Sequence, residues 1–301
     1  MSRAVICISC HELEEDYALK VTVETALEAG FDVIVGYDNF IPFTHADILR
    51  RYPKDRVHVV VTMTRGIGNN RNMLAHKAIE FGYDVFIQSD CHVAFIVKET
   101  PLQISNNVFE HFPVEGKALL NARAIEPVAF KYIGTVHDRH DIRKIRFIGR
   151  ESKWIYFHGE PVFAVETKIL RRIADLQSGF IYLLPGYGYE VTDIMLTISR
   201  LGYRFDVNRS LVYAHRINKG HEDRWSRRWD REQLMMFHAN MYIYSIKHGF
   251  TSPVYYKEIE EKFKDRIAIA RYVNEFLPLS AQRIFDLMEK DIKEGNIVVF
   301  G

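Results

Sequence analysis

Cysteine is scarce, with Cys7, Cys10 and Cys91 the only three in 301 residues. That small, odd number cannot build an extracellular disulfide framework and fits a reducing compartment. Cys7 and Cys10 form a C-x-x-C. Cys7, however, falls inside the strand pattern Ala4-Val5-Ile6-Cys7-Ile8, whereas a redox pair belongs at a helix start, and no second pair exists to complete a zinc site. Small buried hydrophobes are the expectation. Net charge is also lacking: 40 Lys and Arg against 39 Asp and Glu leave +1, so no global basic field holds a polyanion and nucleic acid is not an expected partner. No stretch approaches the roughly 20 apolar residues of a membrane span, and the first residues enter a strand pattern without the long apolar core of a signal peptide. The expected compartment is the cytosol. Repeats and low-complexity tracts are missing as well.

What is present is an ordinary globular balance, 48% hydrophobic and 26% charged, with room for one large domain or two ordinary ones. Short apolar runs at Arg3 to Ser9, Phe31 to Tyr37, Val57 to Thr62 and Asp84 to Ser89 alternate with helical stretches. Leu13, Tyr17 and Val21 mark the first helix, and Leu74, Ala78 and Phe81 mark a later one. This is the signature of βαβ units and a largely parallel sheet, whose loops after Ser9, Tyr37, Thr62 and Ser89 converge on one crevice. Residues 123 to 158 are polar and lack a long period. Their expected form is a solvated excursion, in preference to a metal cluster built on His137 and His140. Helices are expected at Glu166 to Leu176 and Val191 to Leu201, and short strands at Arg204 to Val207 and Leu211 to Tyr213. From about Gly220 the pattern is helical and charged, with candidates at Arg231 to His248, Tyr255 to Tyr272 and Ala281 to Glu294.

Between the third strand and its helix lies Arg65-Gly66-Ile67-Gly68-Asn69-Asn70-Arg71. It mimics a dinucleotide fingerprint, but Arg71 holds the place where a third small residue would let helix and strand approach. An oxidoreductase using Gly66 and Gly68 is therefore the rival reading. Asp90-Cys91-His92 ends the next strand; Asp and His two apart on an extended backbone share one side and can chelate a divalent ion. Together, Gly66-x-Gly68-x-x-Arg71-Asn72 and Asp84-Val-Phe-Ile-Gln-Ser-Asp90-Cys-His92 resemble the stretch of GT-A glycosyltransferases, family 2 especially, that runs into the DXD motif. Gln88 holds the first acidic place and Asp90 the second, while Asp90-Cys91-His92 also resembles the Asp-x-His of polypeptide N-acetylgalactosaminyltransferases. Gly186 to Tyr203, containing Glu190-Val191-Thr192-Asp193, is similar to the family's Glu-Asp region, with Val191 in place of the catalytic Asp. Leu211 to His215 resembles its late strand.

The resemblance implies a GT-A fold, with a mostly parallel central sheet flanked by helices over residues 1–220 and a helical C-terminal extension over 221–301. It implies transfer of a sugar from a nucleotide-diphosphate sugar, UDP favoured over GDP, to a hydroxyl of a glycan, lipid or protein acceptor. The divalent metal, Mn²⁺ or Mg²⁺, falls to Asp90, His92 and His215. Donor binding falls to Ser9, His11, Glu12, Asp38, Gly68, Arg71, Asn72, Ser89 and Asp90, with Arg71 bridging Asp90 and the nucleotide. Activating the acceptor needs a carboxylate within hydrogen-bond reach. Glu190 is the first choice and Asp193, one helical turn on, the second. With either as base the transfer is expected to invert; without a base a retaining route opens. A non-catalytic sugar-nucleotide or glycan-binding module is the remaining alternative. Residues 216–231, rich in Arg and containing Trp225 and Trp229, read as a lid over the diphosphate, a peripheral membrane contact or a plain connector.

Overall fold

The computed structural model of the chain describes residues 3–10, 16–38, 40–41, 43–97, 118–119, 132–149, 151–159, 162–207, 211–215, 230–255 and 257–300. The N-terminal half is a run of β/α units: β1 (Ala4–Cys10), α1 (Asp16–Glu28), β2 (Asp32–Asp38), α2 (Phe43–Leu49), β3 (Val57–Thr62), α3 (Ile67–Glu80) and β4 (Val85–Asp90). Residues Val5 to Cys10 and Val33 to Asp38 are buried without a break, as strands covered on both faces must be. These strands pair in parallel in the order β3-β2-β1-β4. The chain thus reverses its winding between β1 and β4, and Ser9 is in register with Asp90 at that switch point, where open α/β sheets bind ligands.

Beyond β4 come β5 (Val93–Val97), β6 (Ala118–Leu119), β7 (Tyr132–His137), β8 (Ile145–Gly149), β9 (Trp154–Ile155) and β10 (Phe163–Glu166). The helices α4 (Thr167–Leu176) and α5 (Glu190–Arg200) precede β11 (Phe205–Asp206) and β12 (Leu211–His215). β10 lies antiparallel to β4 and extends the main sheet through β6, β11 and β9 to eight strands. β12 pairs separately with β5. The C-terminal part holds α6 (Arg231–His248), α7 (Lys257–Lys262), α8 (Lys264–Phe276), α9 (Ala281–Lys293) and a last strand, β13 (Val299–Phe300). Helix α6 starts where the sequence places it because Asp230 and Gln233 form a reciprocal capping box, and Gly249 closes it with a left-handed φ of 73°.

Three expectations need correction. In the described part of 123–158, residues 132–149 and 151–158, only the turn is a solvated excursion: β7 and β8 form a hairpin, and β9 belongs to the main sheet. Its long-range partner, β13, pairs with β8 from the far end of the chain and leaves no local trace. The helix expected over Tyr255 to Tyr272 is two helices broken at Phe263. Ile259 and Ile267, one on each helix, are both buried. Short α2, β5 and β10 were not anticipated. Cys7, Cys10 and Cys91 are buried and form no disulfide among the described residues, and burial pushes the Cys7 pKa well above its ordinary value.

Candidate active site

Arg71, from the first turns of α3, is 2% exposed and sits at the centre of the carboxyl ends of β1 and β4. Its Nε donates to Ser9 Oγ at 3.3 Å, its Nη2 to Asp90 Oδ1 at 2.5 Å, and its Nη1 to Glu190 Oε1. Burial acts to lower its pKa, but the charges of Glu190 and Asp90 outweigh that and raise it. One cation between two carboxylates leaves the trio with a net negative charge when all are ionised. The Asp90 end of the expected Asp90–Arg71–nucleotide bridge is present, and the other arm of the guanidinium reaches Glu190.

Glu190 opens α5, presented by a backbone that turns left-handed twice, at Gly188 (φ 88°) and Tyr189 (φ 67°). A left-handed Tyr costs roughly 1–2 kcal/mol. Its surroundings hold it there, the hydroxyl donating to Ile142 O at 3.3 Å and the ring packing on His137, Phe237 and Tyr244. Glu190 lines a cleft of about 250 Å³ with Val136, His137, Ile142, Arg143 and Tyr187 among its walls. Its Oε2 is buried and has no hydrogen-bond partner among the described residues. Burial pushes the Glu190 pKa above its ordinary value; Arg71 works against this and the charge of Asp90 adds to it.

Asp193 lies elsewhere. Lys247 Nζ donates to its Oδ2 at 2.8 Å and His248 Nε2 lies 2.9 Å from its Oδ1, all three buried. Arg200, also buried, places Nη1 3.2 Å from His248 Nδ1. An Arg can only donate, so Nδ1 accepts and Nε2 carries the imidazole hydrogen. Burial accordingly lowers the His248 pKa to about 3. Burial alone would raise Asp193, but Lys247 and His248 hold it below its usual value. The expected reserve base is therefore committed at both oxygens to a core charge cluster.

The remaining expected donor residues divide. Ser9 and Asp38 sit at adjoining strand ends; Asp38 Oδ2 accepts from Gly66 N at 3.2 Å. His11 and Glu12 lie outside the described residues, as does nearly all of 216–231; Arg231, which opens α6, contacts Glu258 at 3.4 Å. Asn72, expected at the donor, accepts instead from the backbone N–H groups of Ile181 and Tyr182 at 2.8 and 3.1 Å. Ser89 Oγ donates to Asp90 O at 2.9 Å, because alternation turns it away from the face that carries Asp90. Gln88 accepts from the Tyr182 hydroxyl, so the first acidic place of the motif is filled by a buried neutral pair. Gly68 and Gly66 serve close packing. A Cβ on either would collide with a carbonyl, of Leu184 or Pro185, and Pro185 O already accepts from Asn69 N at 3.1 Å. The chain itself occupies the helix start that a dinucleotide pyrophosphate would need, which removes the oxidoreductase reading.

Sequence reasoning missed Asn70, whose Nδ2 donates to Gly36 O at 2.8 Å and Cys10 O at 3.3 Å and ties the ends of β1 and β2 together. It also missed Tyr182 and the Lys247–His248 pair, which have no local signal.

For a divalent cation, Asp90 Oδ2 and His92 Nε2 lie 3.9 Å apart, both side chains about one-fifth exposed. The β5–β12 pairing sets His215 opposite Val93, the residue after His92. Oxygen and imidazole donors beside an excess negative charge fit Mn²⁺ or Mg²⁺ chemistry. Among the described residues no group of three or more His, Cys, Asp or Glu converges as a metal site.

A solved structure of GalNAc-T7 with UDP, GalNAc and Mn²⁺ superposes on 98% of this chain with a TM-score of 0.57 at 14% sequence identity. The chain has a GT-A glycosyltransferase fold. It spans 58% of the length of that GalNAc-T7 chain. A structure of S. aureus TarS 1–349 in complex with UDP-GlcNAc covers 98% of this chain and 78% of its own at 15% identity, with a TM-score of 0.48, too low to establish a shared fold by itself. No protein-family model and no curated protein matches the sequence. Within the GT-A fold, Arg71, Asp90 and Glu190 occupy the crevice at the strand ends.

Proposed function

We propose that this chain is a glycosyltransferase of the hexosyltransferase class, moving a sugar from a UDP-sugar to an acceptor hydroxyl with inversion. The observation that carries the reading is the Arg71 bridge, which couples the carboxylate at the end of β4 to a second, buried carboxylate that lines a cleft and has one oxygen unengaged among the described residues. Transfer needs both functions side by side: charge compensation where diphosphate leaves and a proton acceptor where the hydroxyl attacks.

Glu190 Oε2 takes the acceptor proton as the acceptor oxygen bonds to the anomeric carbon and the sugar–diphosphate bond breaks. Its raised pKa moves it toward the operating pH, where a general base works best. Arg71 holds Glu190 by the other oxygen, fixing the carboxylate in place. Asp90, His92 and His215 would hold Mn²⁺ or Mg²⁺, which supplies Lewis-acid neutralisation of the departing diphosphate when bound. Ser9 and Asp38 stand where the nucleoside would lie.

The test is a thermal-shift screen of UDP- and GDP-sugars with and without Mn²⁺, followed by donor hydrolysis. A ligand at 100 times its Kd stabilises the native state by about 2.7 kcal/mol. A metal-dependent shift with one UDP-sugar and its slow hydrolysis are expected. No shift with any nucleotide sugar would overturn the reading.

A further inference from the structure

The cleft over Glu190 carries information about charge. One wall is the β7–β8 hairpin, contributing Val136, His137, Ile142 and Arg143; the other is the segment from Tyr187 to Thr192. Among the described residues, its cations are accounted for. Arg143 is gripped by Asp141 through two bonds, Nε to Oδ1 at 2.9 Å and Nη2 to Oδ2 at 3.1 Å, the strong two-point arrangement of guanidinium and carboxylate. Its charge is thus cancelled at the cleft mouth. His137 contacts the Tyr244 hydroxyl through Nε2 at 2.5 Å, and burial lowers its pKa to about 3, so it is neutral. Glu190 remains, with Oε2 buried and unpartnered among the described residues. The other polar lining groups are spoken for: the Tyr189 hydroxyl by Ile142 O and Thr192 Oγ1 by His158 O. The walls left over are the flat or aliphatic surfaces of Val136, Ile142, Tyr187 and Val191.

We infer that this cleft takes an uncharged, hydroxyl-bearing ring, a neutral glycoside unit, and excludes phosphorylated or carboxylated acceptors, with the Asp141–Arg143 pair enforcing the exclusion. The inference rests on the glycosyltransferase reading and deepens it. A ring of that kind offers one hydroxyl to Glu190 Oε2 and an apolar face to the tyrosine and aliphatic walls. The volume, about 250 Å³, suits one ring. A phosphate there would meet an ionised carboxylate and an already neutralised guanidinium, and would lose its water without gaining a counter-charge.

The experiment titrates the full chain, at low ionic strength and pH 7.5, with methyl β-glycosides of glucose, galactose and N-acetylglucosamine and with their 6-phosphates, following ligand signals by saturation-transfer NMR. UDP binding is followed in the same samples. At least one neutral glycoside should bind, and its 6-phosphate should bind tenfold or more weakly. Asp141→Asn, which releases Arg143 on an exposed turn, should tighten the 6-phosphates at least threefold and leave neutral binding unchanged. Arg143→Gln, which leaves the Asp141 carboxylate without its counter-charge, should leave neutral binding unchanged and weaken the 6-phosphates further. The inference is overturned if a 6-phosphate binds as tightly as its neutral parent, if Asp141→Asn does not change the ratio, or if none of the three neutral glycosides binds. UDP binding that persists through such a result leaves the glycosyltransferase reading standing; its absence in the wild type sinks that reading instead.

Discussion

His248 Nε2 lies 2.9 Å from Asp193 Oδ1 and joins the last turn of α6 to the first turn of α5, the helix that Glu190 opens. Asp193 is three residues past Glu190, so the contact that locks one fixes the rotation of the other. With Lys247 and Arg200 beside it, the cluster buries two cations against one carboxylate, an arrangement that tolerates removal of the anion poorly.

Asp193→Asn should therefore cost roughly 3–5 kcal/mol in urea unfolding at pH 7, because it strands Lys247 and Arg200 in the core. The sign of the pH effect follows from the lowered Asp193 pKa. Its contribution is present above the unfolded value of about 3.9 and is lost as pH falls through the lower folded value. The wild type should lose stability below about pH 4 on a limb that the Asn variant lacks. An identical acid limb in both proteins would refute the assignment.

Glu190→Gln should keep donor binding and lose on the order of 10² to 10⁴ in transfer rate. In the wild type, the rate should fall with decreasing pH through a pKa above the ordinary carboxylate value of about 4.3, since burial raises Glu190. Near wild-type turnover by the Gln variant would exclude Glu190 as base.

Arg71→Met leaves Asp90 and Glu190 without their shared cation. Destabilisation of about 3–5 kcal/mol is expected from breaking a buried pair, together with an acid limb of the rate profile moved to higher pH, since Arg71 holds the Glu190 pKa down. Chemical unfolding and the pH–rate profile measure the two effects separately; a limb moved to lower pH would contradict the argument.

Asp90→Ala should abolish the Mn²⁺ dependence of UDP-sugar stabilisation while leaving the Arg71–Glu190 contact intact. Unchanged dependence in a thermal-shift titration would assign the metal elsewhere.

Gly68→Ala drives a Cβ into the Leu184 carbonyl, which is backbone, and should cost about 1–3 kcal/mol, as overpacking does. At Gly202 a Cβ meets nothing within 4 Å among the described residues, but φ is +100°; a side chain there strains the backbone, at roughly 1–2 kcal/mol. Gly68→Ala should also shift α3 and weaken donor binding, whereas Gly202→Ala should not. Equal donor affinity in the two variants would count against the close packing of α3 as a condition of the site.

The parallel half of the fold is legible because its signals are local, apolar runs bounded by turns, whereas the Arg71–Asp90 contact is anticipated through the family resemblance. At Asp193 the local signal points the wrong way. Its position one turn after Glu190 suggests a shared crevice, and only Lys247 and His248, more than fifty residues away, reveal that it faces the core. Asn72 and Gly68 look like donor contacts until the 181–186 segment is in place to donate its N–H groups to Asn72 and to crowd Gly68. In the sequence the β7–β8 hairpin looks solvent-exposed because its polar turn dominates the pattern and its third strand, β13, comes some 150 residues later.

That last pairing has a kinetic consequence. Val299 and Phe300 complete the three-stranded sheet with β8 and β7, and Val136 and His137 of β7 form a wall of the cleft. Contacts across so long a loop form late, because the loop must be closed before they reward it. The parallel strands near the N-terminus can assemble from neighbouring units, but the acceptor side of the cleft waits for the last described strand. During refolding, nucleotide binding should therefore return in an earlier phase than glycoside binding.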